Sequence, residues 1–217
     1  MRKILFPLLA LPLVLPLAAQ TWDLRLEVPF PQGQSLSGTL VSGTIQIISG
    51  DLDTGNGGIL SINRRLIRVG PILRLEWGAE ITQWSANGSI NLGPSVLNSK
   101  LKQTGAGIGL NAQLWIPFTG ICGEIGVIQR FQQYKFSSND LESSGTIGRT
   151  WLRVGARLRV PFVPVINPYV AASYQQPINK DQPVHINSVQ DLADLFKEQG
   201  KGQEFQRLWT IGVGVAF

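Results

Sequence analysis

The chain has 217 residues, a formal net charge of +5 and a mean hydropathy of +0.09, and it contains 24 glycines, six tryptophans and one cysteine. Because Cys122 is the single cysteine, an intrachain disulfide is excluded. The positive charge is mild and is not gathered into a basic run, so the sequence gives no indication of a nucleic-acid-binding surface. We expect no nucleic-acid partner.

The first 20 residues have the composition of a cleaved secretory signal peptide. Arg2 and Lys3 form a charged start, an apolar run follows at residues 4–17, and Ala18 and Ala19 are the small residues expected before a cleavage site. The alternative is an N-terminal membrane anchor, but the run is interrupted by prolines and is shorter than the ~20 residues that a spanning helix needs. We predict a signal peptide at 1–20 and one domain at 21–217.

Alternation of apolar and polar residues dominates the rest of the chain and predicts β-strands. The clearest example is 150–162, where Val154 and Leu158 share one face and Arg153 and Arg157 share the other. The eight predicted strands cover residues 22–30, 58–66, 71–81, 108–118, 121–131, 150–162, 167–176 and 209–217. Residues 39–49 also read as a strand, which either extends the first hairpin above the membrane or replaces 58–66 as the second strand.

The predicted connections alternate in length. Short joins lie near 67–70, 118–120 and 162–166, whereas long segments rich in Gly, Ser, Asn and Gln cover 31–57, 85–104, 136–146 and 177–203. Short turns at one end and long loops at the other are typical of the periplasmic and extracellular ends of a membrane β-barrel. Within the last long loop, Val189, Leu192, Leu195 and Phe196 recur at helical spacing and predict a short amphipathic helix at 187–199.

The polar face of the predicted strands distinguishes a barrel from a soluble β-sandwich, the other exported class that such alternation allows. Its charged members are arginines and acids without a lysine, as suits an enclosed network of paired charges, and an eight-stranded barrel is just wide enough for side chains to fill. The predicted interior network consists of Asp23, Arg25, Glu27, Arg74, Glu76, Glu80, Glu124, Arg130, Arg153, Arg157 and Arg159.

The apolar face carries aromatic residues near both ends of the strands. Two aromatic rings around an apolar belt are the girdles of a membrane barrel. The predicted girdle residues are Trp22, Phe118, Phe131, Phe162, Tyr174, Trp209 and Phe217. We therefore predict an all-β fold, an eight-stranded antiparallel transmembrane up-and-down β-barrel with long extracellular loops and a short helix in the last loop.

The last strand, Trp209 to Phe217, alternates apolar residues and ends in an aromatic residue. In this pattern the chain resembles the small outer-membrane barrels of the OmpA, OmpX and OmpW type, in which such a strand is the signal that the barrel-assembly machinery reads. The resemblance implies export to the bacterial outer membrane, where the partners are outer-membrane lipid and, through 209–217, the assembly machinery. The sequence identifies no extracellular partner.

Three functions remain open at this point. The first is a non-catalytic barrel with a plugged lumen and a structural or surface-interaction role through its long loops. The second is a narrow, porin-like transport barrel for small or apolar solutes, with the loop helix as a lid. The third is a lipid-modifying enzyme at the outer rim, for which the single histidine, His185, lies near Asp181, Ser188 and Asp191. We favour the first, and expect no catalysis, no cofactor and no metal.

Overall fold

The structure, a computed structural model, describes residues 22–31, 34–42, 44–52, 55–92, 95–138, 141–160, 167–178 and 207–217. The regular structure in these segments is entirely β. The ten strands are β1 Trp22–Pro31, β2 Gln34–Ser42, β3 Thr44–Leu52, β4 Asn56–Val69, β5 Leu73–Leu92, β6 Ser95–Trp115, β7 Ile121–Ser138, β8 Leu141–Arg159, β9 Asn167–Pro177 and β10 Leu208–Ala216. The described part holds no helix that is long and apolar enough to cross a membrane.

Eight of the strands form a closed ring. The order around the ring is β1, β4, β5, β6, β7, β8, β9 and β10, and every neighbouring pair is antiparallel. The first and last strands close it, with Asp23 opposite Ala216, and two backbone hydrogen bonds between Trp22 and Phe217, at 2.7 and 2.9 Å, complete this seam. The fold is therefore the predicted eight-stranded up-and-down barrel.

The two remaining strands form a hairpin outside the ring. β2 pairs with β3, and the far end of β3 pairs with the far end of β5, where Ile48 lies opposite Leu92. Residues 39–49 thus belong to this additional hairpin, whereas residues 58–66 lie in β4 and form part of the barrel wall. Of the two possibilities for the second membrane strand, the structure selects 58–66.

Short connections gather at one end of the barrel, which we call the turn end. β4 joins β5 through Gly70, which has a φ of 59°, and β6 joins β7 through a turn in which Phe118 and Gly120 have φ values of 66° and 72°. The positive φ at Gly70 and Gly120 is a conformation that glycine adopts without a steric penalty. The opposite end, where the β5–β6 and β7–β8 hairpins terminate, is the loop end.

The strands in the middle of the chain run further than predicted. Most of 85–104 and of 136–146, predicted as loops, belongs instead to the β5–β6 and β7–β8 hairpins, and β6 pairs with β7 out to Ser99 and Ser138. The strands continue there, but their exposed face becomes polar. Because polar residues then occupy most positions, the sequence of these segments resembles that of loops. The predicted helix at 187–199 and girdle residue Phe162 lie outside the described residues.

An apolar belt surrounds the barrel on its outer face. On β5 it extends from Leu73 to Ile81, which is close to the 9–11 residues that a tilted strand needs to cross the hydrocarbon core. Above the belt, towards the loop end, the exposed positions become polar, as at Lys102, Gln133 and Thr146. The outward side of the wall is therefore matched to lipid over one membrane thickness.

Aromatic residues border this belt. At the loop side, Trp209 lies opposite Phe30 on β1 and Tyr174 on β9, and the Tyr174 and Trp209 rings are 4.9 Å apart between centroids. Phe131 is exposed on β7 near the same level, while Phe118, Phe217 and Trp22 lie at the turn end. Described aromatic residues therefore lie at both borders of the belt.

Val154→Arg tests the facing of the wall. Val154 is exposed near the middle of the belt on β8, and an arginine at the bilayer midplane of a barrel costs about 2–4 kcal/mol. We expect this variant to fold poorly into lipid vesicles, as measured by the fraction that shows heat-modifiable mobility in SDS gels. The control is Thr146→Arg, on the same strand and face but above the belt, which should fold like the unmodified protein. Equal folding of the two variants would contradict this membrane placement.

Candidate functional site: the charged interior of the barrel

Charged side chains fill the inside of the barrel. Period-two alternation places every second residue of a strand on the inner face, and Gly107 and other small residues between the charges leave room for long side chains. Of the predicted interior charges, Arg74 and Arg159 are half-buried. The others are buried: Asp23, Arg25, Glu27, Glu76, Glu80, Glu124, Arg130, Arg153 and Arg157.

Glu124 on β7 is the centre of the cluster nearer the turn end. The two terminal nitrogens of Arg25 donate to its two oxygens at 2.8 Å each, and Arg157 donates to the same carboxylate through its Nε. This bidentate pairing is the geometry in which a guanidinium binds a carboxylate most strongly. Gly155 allows the close approach, since a Cβ there would lie 2.6 Å from the backbone oxygen of Ala172 and 3.1 Å from the carboxylate.

Asp23 on β1 extends this cluster around the wall. It accepts hydrogen bonds from Arg157 Nη1 at 3.0 Å, Tyr169 OH at 2.7 Å and Asn63 Nδ2 at 3.1 Å. The Tyr169 ring lies against Gly214, its cross-strand neighbour, where a Cβ would overlap the ring. Donors from three other strands therefore satisfy the carboxylate of Asp23.

A second cluster lies higher in the barrel. Arg153 Nη2 bridges two carboxylates, at 3.2 Å from Glu27 and 3.1 Å from Glu80, and Arg130 donates to Glu80 through its Nε. Glu27 also accepts from Thr210 Oγ1 at 2.7 Å. Each carboxylate in this cluster is thus satisfied by groups from at least one other strand.

The two clusters are joined through β1, because Arg25 Nη1 lies 3.6 Å from Glu27 Oε1. Charges removed from water must be paired, and removing one partner of a buried pair costs about 3–5 kcal/mol. Apart from Arg25 and Glu27, the paired residues lie on different strands, so the pairing crosses the lumen. The continuous path runs through Asp23, Arg157, Glu124, Arg25, Glu27, Arg153, Glu80 and Arg130.

The loop end of this path is covered by aromatic rings. The Arg130 guanidinium lies 4.9 Å from the centroid of the Trp151 ring and 5.8 Å from that of Trp84. Both tryptophans are about 1% exposed, so they are buried inside the barrel above the charges. The arginine is stabilised both by its carboxylate and by the two ring faces.

The turn end has the opposite arrangement, one ring between two arginines. Arg74 and Arg159 each lie 4.6 Å from the centroid of Trp115, whose Nε1 donates to Gln113 at 3.0 Å. The sequence led us to expect both arginines within the carboxylate network. The structure places them below it, against the ring, and Glu76 instead accepts from Gln113 and lies 3.6 Å from Arg157.

Several uncharged interior residues were not predicted, because the sequence analysis selected charged residues alone. Alternation already places them on the inner face, so it would have identified them without regard to charge. They are Asn63, Gln103, Gln113, Gln132, Tyr169, Ser173, Gln175 and Thr210, together with the buried rings of Trp84 and Trp151.

A cavity of about 20 Å³ lies inside the described wall beside Gly78, Gly109 and Gly126, close to Glu80 and Arg153. That volume accommodates roughly one water molecule. The paired charges lie between the Trp115 ring at the turn end and the rings of Trp84 and Trp151 at the loop end.

The described residues contain no group of three His, Cys, Asp or Glu side chains arranged to hold a metal ion. Cys122 is buried on the inner face, and its Sγ donates to the backbone oxygen of Gly123 at 3.2 Å. His185, Asp181, Ser188 and Asp191 lie outside the described residues. The chemistry that the described interior supports is charge pairing.

Glu124→Gln should destabilise the folded barrel strongly. The amide cannot accept both hydrogen bonds from Arg25 together with the one from Arg157 Nε. Two buried arginines then lose the negative charge of the carboxylate that they share, which costs about 3–5 kcal/mol. We expect a lower urea midpoint of unfolding in lipid vesicles. Glu76→Gln should have a smaller effect, because Glu76 shares its arginine with Asp23 and Glu124. The exposed control Lys102→Gln should unfold at the unmodified midpoint, and equal midpoints for all three variants would contradict the role of Glu124.

No protein-family model matches the sequence, and no curated protein is significantly similar to it. Three solved structures resemble the chain over 91% of its length. The attachment invasion locus protein Ail of Yersinia pestis is 11% identical, covered over 97% of its own length, with a TM-score of 0.47. Neisserial surface protein A is 12% identical, covered over 95%, with a TM-score of 0.43. The outer-membrane protease OmpT of Escherichia coli is 10% identical, covered over 96%, with a TM-score of 0.36. The barrel itself is established by the chain's own closed strand pairing.

Proposed function

We propose that this chain is a non-catalytic outer-membrane barrel with a closed lumen, which acts through the structure it raises beyond the membrane. The observation that supports the closed lumen most directly is the continuous charge path between Asp23 and Arg130, bounded by tryptophan layers. Outer-membrane placement is supported by the closed antiparallel barrel and the apolar belt, since a lipid-exposed sheet must leave no unpaired edge. Its export is supported by the predicted signal peptide.

The extension beyond the membrane is a sheet rather than a set of loops. β5, β6, β7 and β8 have 20, 21, 18 and 19 residues, about twice what the bilayer requires, whereas β1, β9 and β10 have 10, 11 and 9. At about 3.3 Å per residue, roughly ten further residues raise the wall by some 30 Å along the strands. The β2–β3 hairpin continues this sheet beside β5.

The two faces of this extension differ in character. The outer face presents Lys100, Lys102 and Lys135 to solvent, whereas the inner face carries buried residues such as Leu101 and Tyr134. Cross-strand pairing supports the sheet along its whole height, so the surface that it offers is fixed by backbone hydrogen bonds. A fixed polar surface outside a closed barrel suits contact with an extracellular partner.

A groove in the wall favours the transport alternative. The ladder between β1 and β4 ends at Glu27 and Ile59, and beyond it a groove of about 470 Å³ is lined by Leu26, Gly58 and Ile81 among others. The groove begins at the upper edge of the belt and continues above it, and its mainly apolar surface is compatible with the passage of a small apolar solute along the wall. The enzyme alternative depends on His185 and has no described residue in its favour.

Planar-bilayer recording and solute uptake separate the first two functions. We expect at most rare and small conductance events from the purified protein, because paired charges and tryptophans occupy the lumen. Gly58→Leu provides a matched test of the groove, since a Cβ there meets no atom within 4 Å and the added side chain would narrow the groove. Under our proposal this variant and the unmodified protein behave alike in uptake of small apolar solutes. Stable large channels, or uptake that Gly58→Leu abolishes, would replace our proposal with transport.

Cysteine labelling on intact cells tests the direction of the extension. In a Cys122→Ser background, Lys100→Cys lies on the exposed face of the extension and Pro117→Cys lies in an exposed turn at the other end. We expect a membrane-impermeant maleimide to label Lys100→Cys on intact cells, and Pro117→Cys only after the outer membrane is permeabilised. The reverse pattern would mean that the extended sheet faces the periplasm.

A further inference from the structure

Four arginines gather where the barrel opens at the turn end. Arg65 and Arg68 lie on β4, Arg74 on β5 and Arg159 at the end of β8, and we call these four residues the arginine mouth. Arg68 is directly opposite Arg74 in the β4–β5 ladder, next to a register shift between Arg65 and Ile67. Like charges in directly opposed cross-strand positions destabilise a sheet, so this arrangement requires an explanation.

The four guanidinium groups lie close enough to interact with one another. Arg74 experiences the charges of Arg65, Arg68 and Arg159, and Arg65 experiences those of Arg68 and Arg159. Burial adds to this repulsion, because Arg65 and Arg74 are half-buried and have lost part of their hydration. Glu76 is the acid in range of this group, and one carboxylate cannot balance four guanidinium charges.

The other acids described near the mouth are already paired. In the half of the barrel nearer the turn end these acids are Asp23, Glu76 and Glu124, and all three lie within 4 Å of the Arg157 guanidinium. The described turns at 70–72 and 116–120 contain no aspartate or glutamate. The described side chains therefore leave the mouth with an excess of positive charge.

Buried donors point to the same conclusion. The Nε atoms of Arg65 and Arg74 are both buried and have no hydrogen-bond partner among the described residues. An unsatisfied buried donor is unfavourable by roughly 1–3 kcal/mol, and more when the group is charged. The Arg74 and Arg159 guanidinium groups each lie 4.6 Å from the centroid of the Trp115 ring, and this contact orders both side chains.

We propose that the arginine mouth is a binding site for a phosphate group. A phosphate offers several charged oxygens to several guanidinium forks at once, which is the arrangement that arginine favours for phosphate recognition. The group belongs either to the headgroup of a phospholipid at the rim or to a soluble phosphate ester that enters the mouth. Both sources present the same charged oxygens to the accessible guanidinium nitrogens, and the short turns leave Arg68 exposed to either.

The test uses the full mature chain under two conditions. In phosphate-free maltoside micelles, inorganic phosphate and glycerol 3-phosphate are titrated, and binding is measured by calorimetry and by the thermal midpoint of unfolding. In nanodiscs, the midpoint is compared between phosphatidylglycerol and a digalactosyl lipid that has no phosphate. The variants are Arg68→Gln, which alters an exposed side chain, and Arg74→Gln. The control is Arg207→Gln, an exposed arginine at the loop end with the same change of charge.

We expect the unmodified protein to be stabilised by phosphate in at least one condition. Affinity should fall at least tenfold in Arg68→Gln and Arg74→Gln and stay unchanged in Arg207→Gln. Stabilisation by glycerol 3-phosphate in micelles assigns a soluble ligand, whereas stabilisation by phosphatidylglycerol alone assigns a headgroup. If neither condition shows phosphate-dependent stabilisation, or if Arg207→Gln weakens it as much as Arg68→Gln does, the site does not exist. Arg68→Gln keeps the test decisive even if Arg74→Gln fails to fold.

Discussion

A charged side chain buried in a narrow barrel must be paired with an opposite charge, and the interior of this protein is arranged around that requirement. Glu124 pairs with two arginines at once, and Arg153 pairs with two carboxylates. Because the partners come from different strands, each ion pair also holds one part of the wall against another. The network therefore acts as a polar core, in a protein whose apolar side chains lie on the outer, lipid-facing surface.

The inner face of the wall meets paired charges, whereas the outer face meets lipid. The sequence suits both environments because polar and apolar residues alternate along each strand. Val154 faces hydrocarbon while Arg153, its neighbour, is buried among carboxylates. A register slip of one residue would exchange these environments along a whole strand, so correct register is strongly favoured. One polar pair interrupts the apolar face, where Thr150 donates to Gln129 across β7 and β8 at 2.6 Å and each side chain thereby satisfies the other.

The sequence predicted the facing of the wall well, because period two is a local property that any strand displays. Leu152, Val154 and Arg157 could be assigned to faces without knowing their neighbours. Strand length and pairing partners are not local. The upper parts of β5 and β6 read as loops because their exposed face becomes polar, and the stacking of Arg74 on Trp115 depends on strands that meet only in the folded barrel. The bulge beside Arg65 likewise has no signal in the alternation.

The seam between β1 and β10 carries a kinetic consequence. Asp23 on β1 pairs with Ala216 on β10, so the ring closes only when the first and last described strands come together. Until then the growing sheet exposes two edges whose unpaired backbone groups can recruit other chains. Contacts between such distant residues are slow to form because a long loop must close first. Until β1 and β10 pair, edge-to-edge association with other chains therefore competes with closure of the ring.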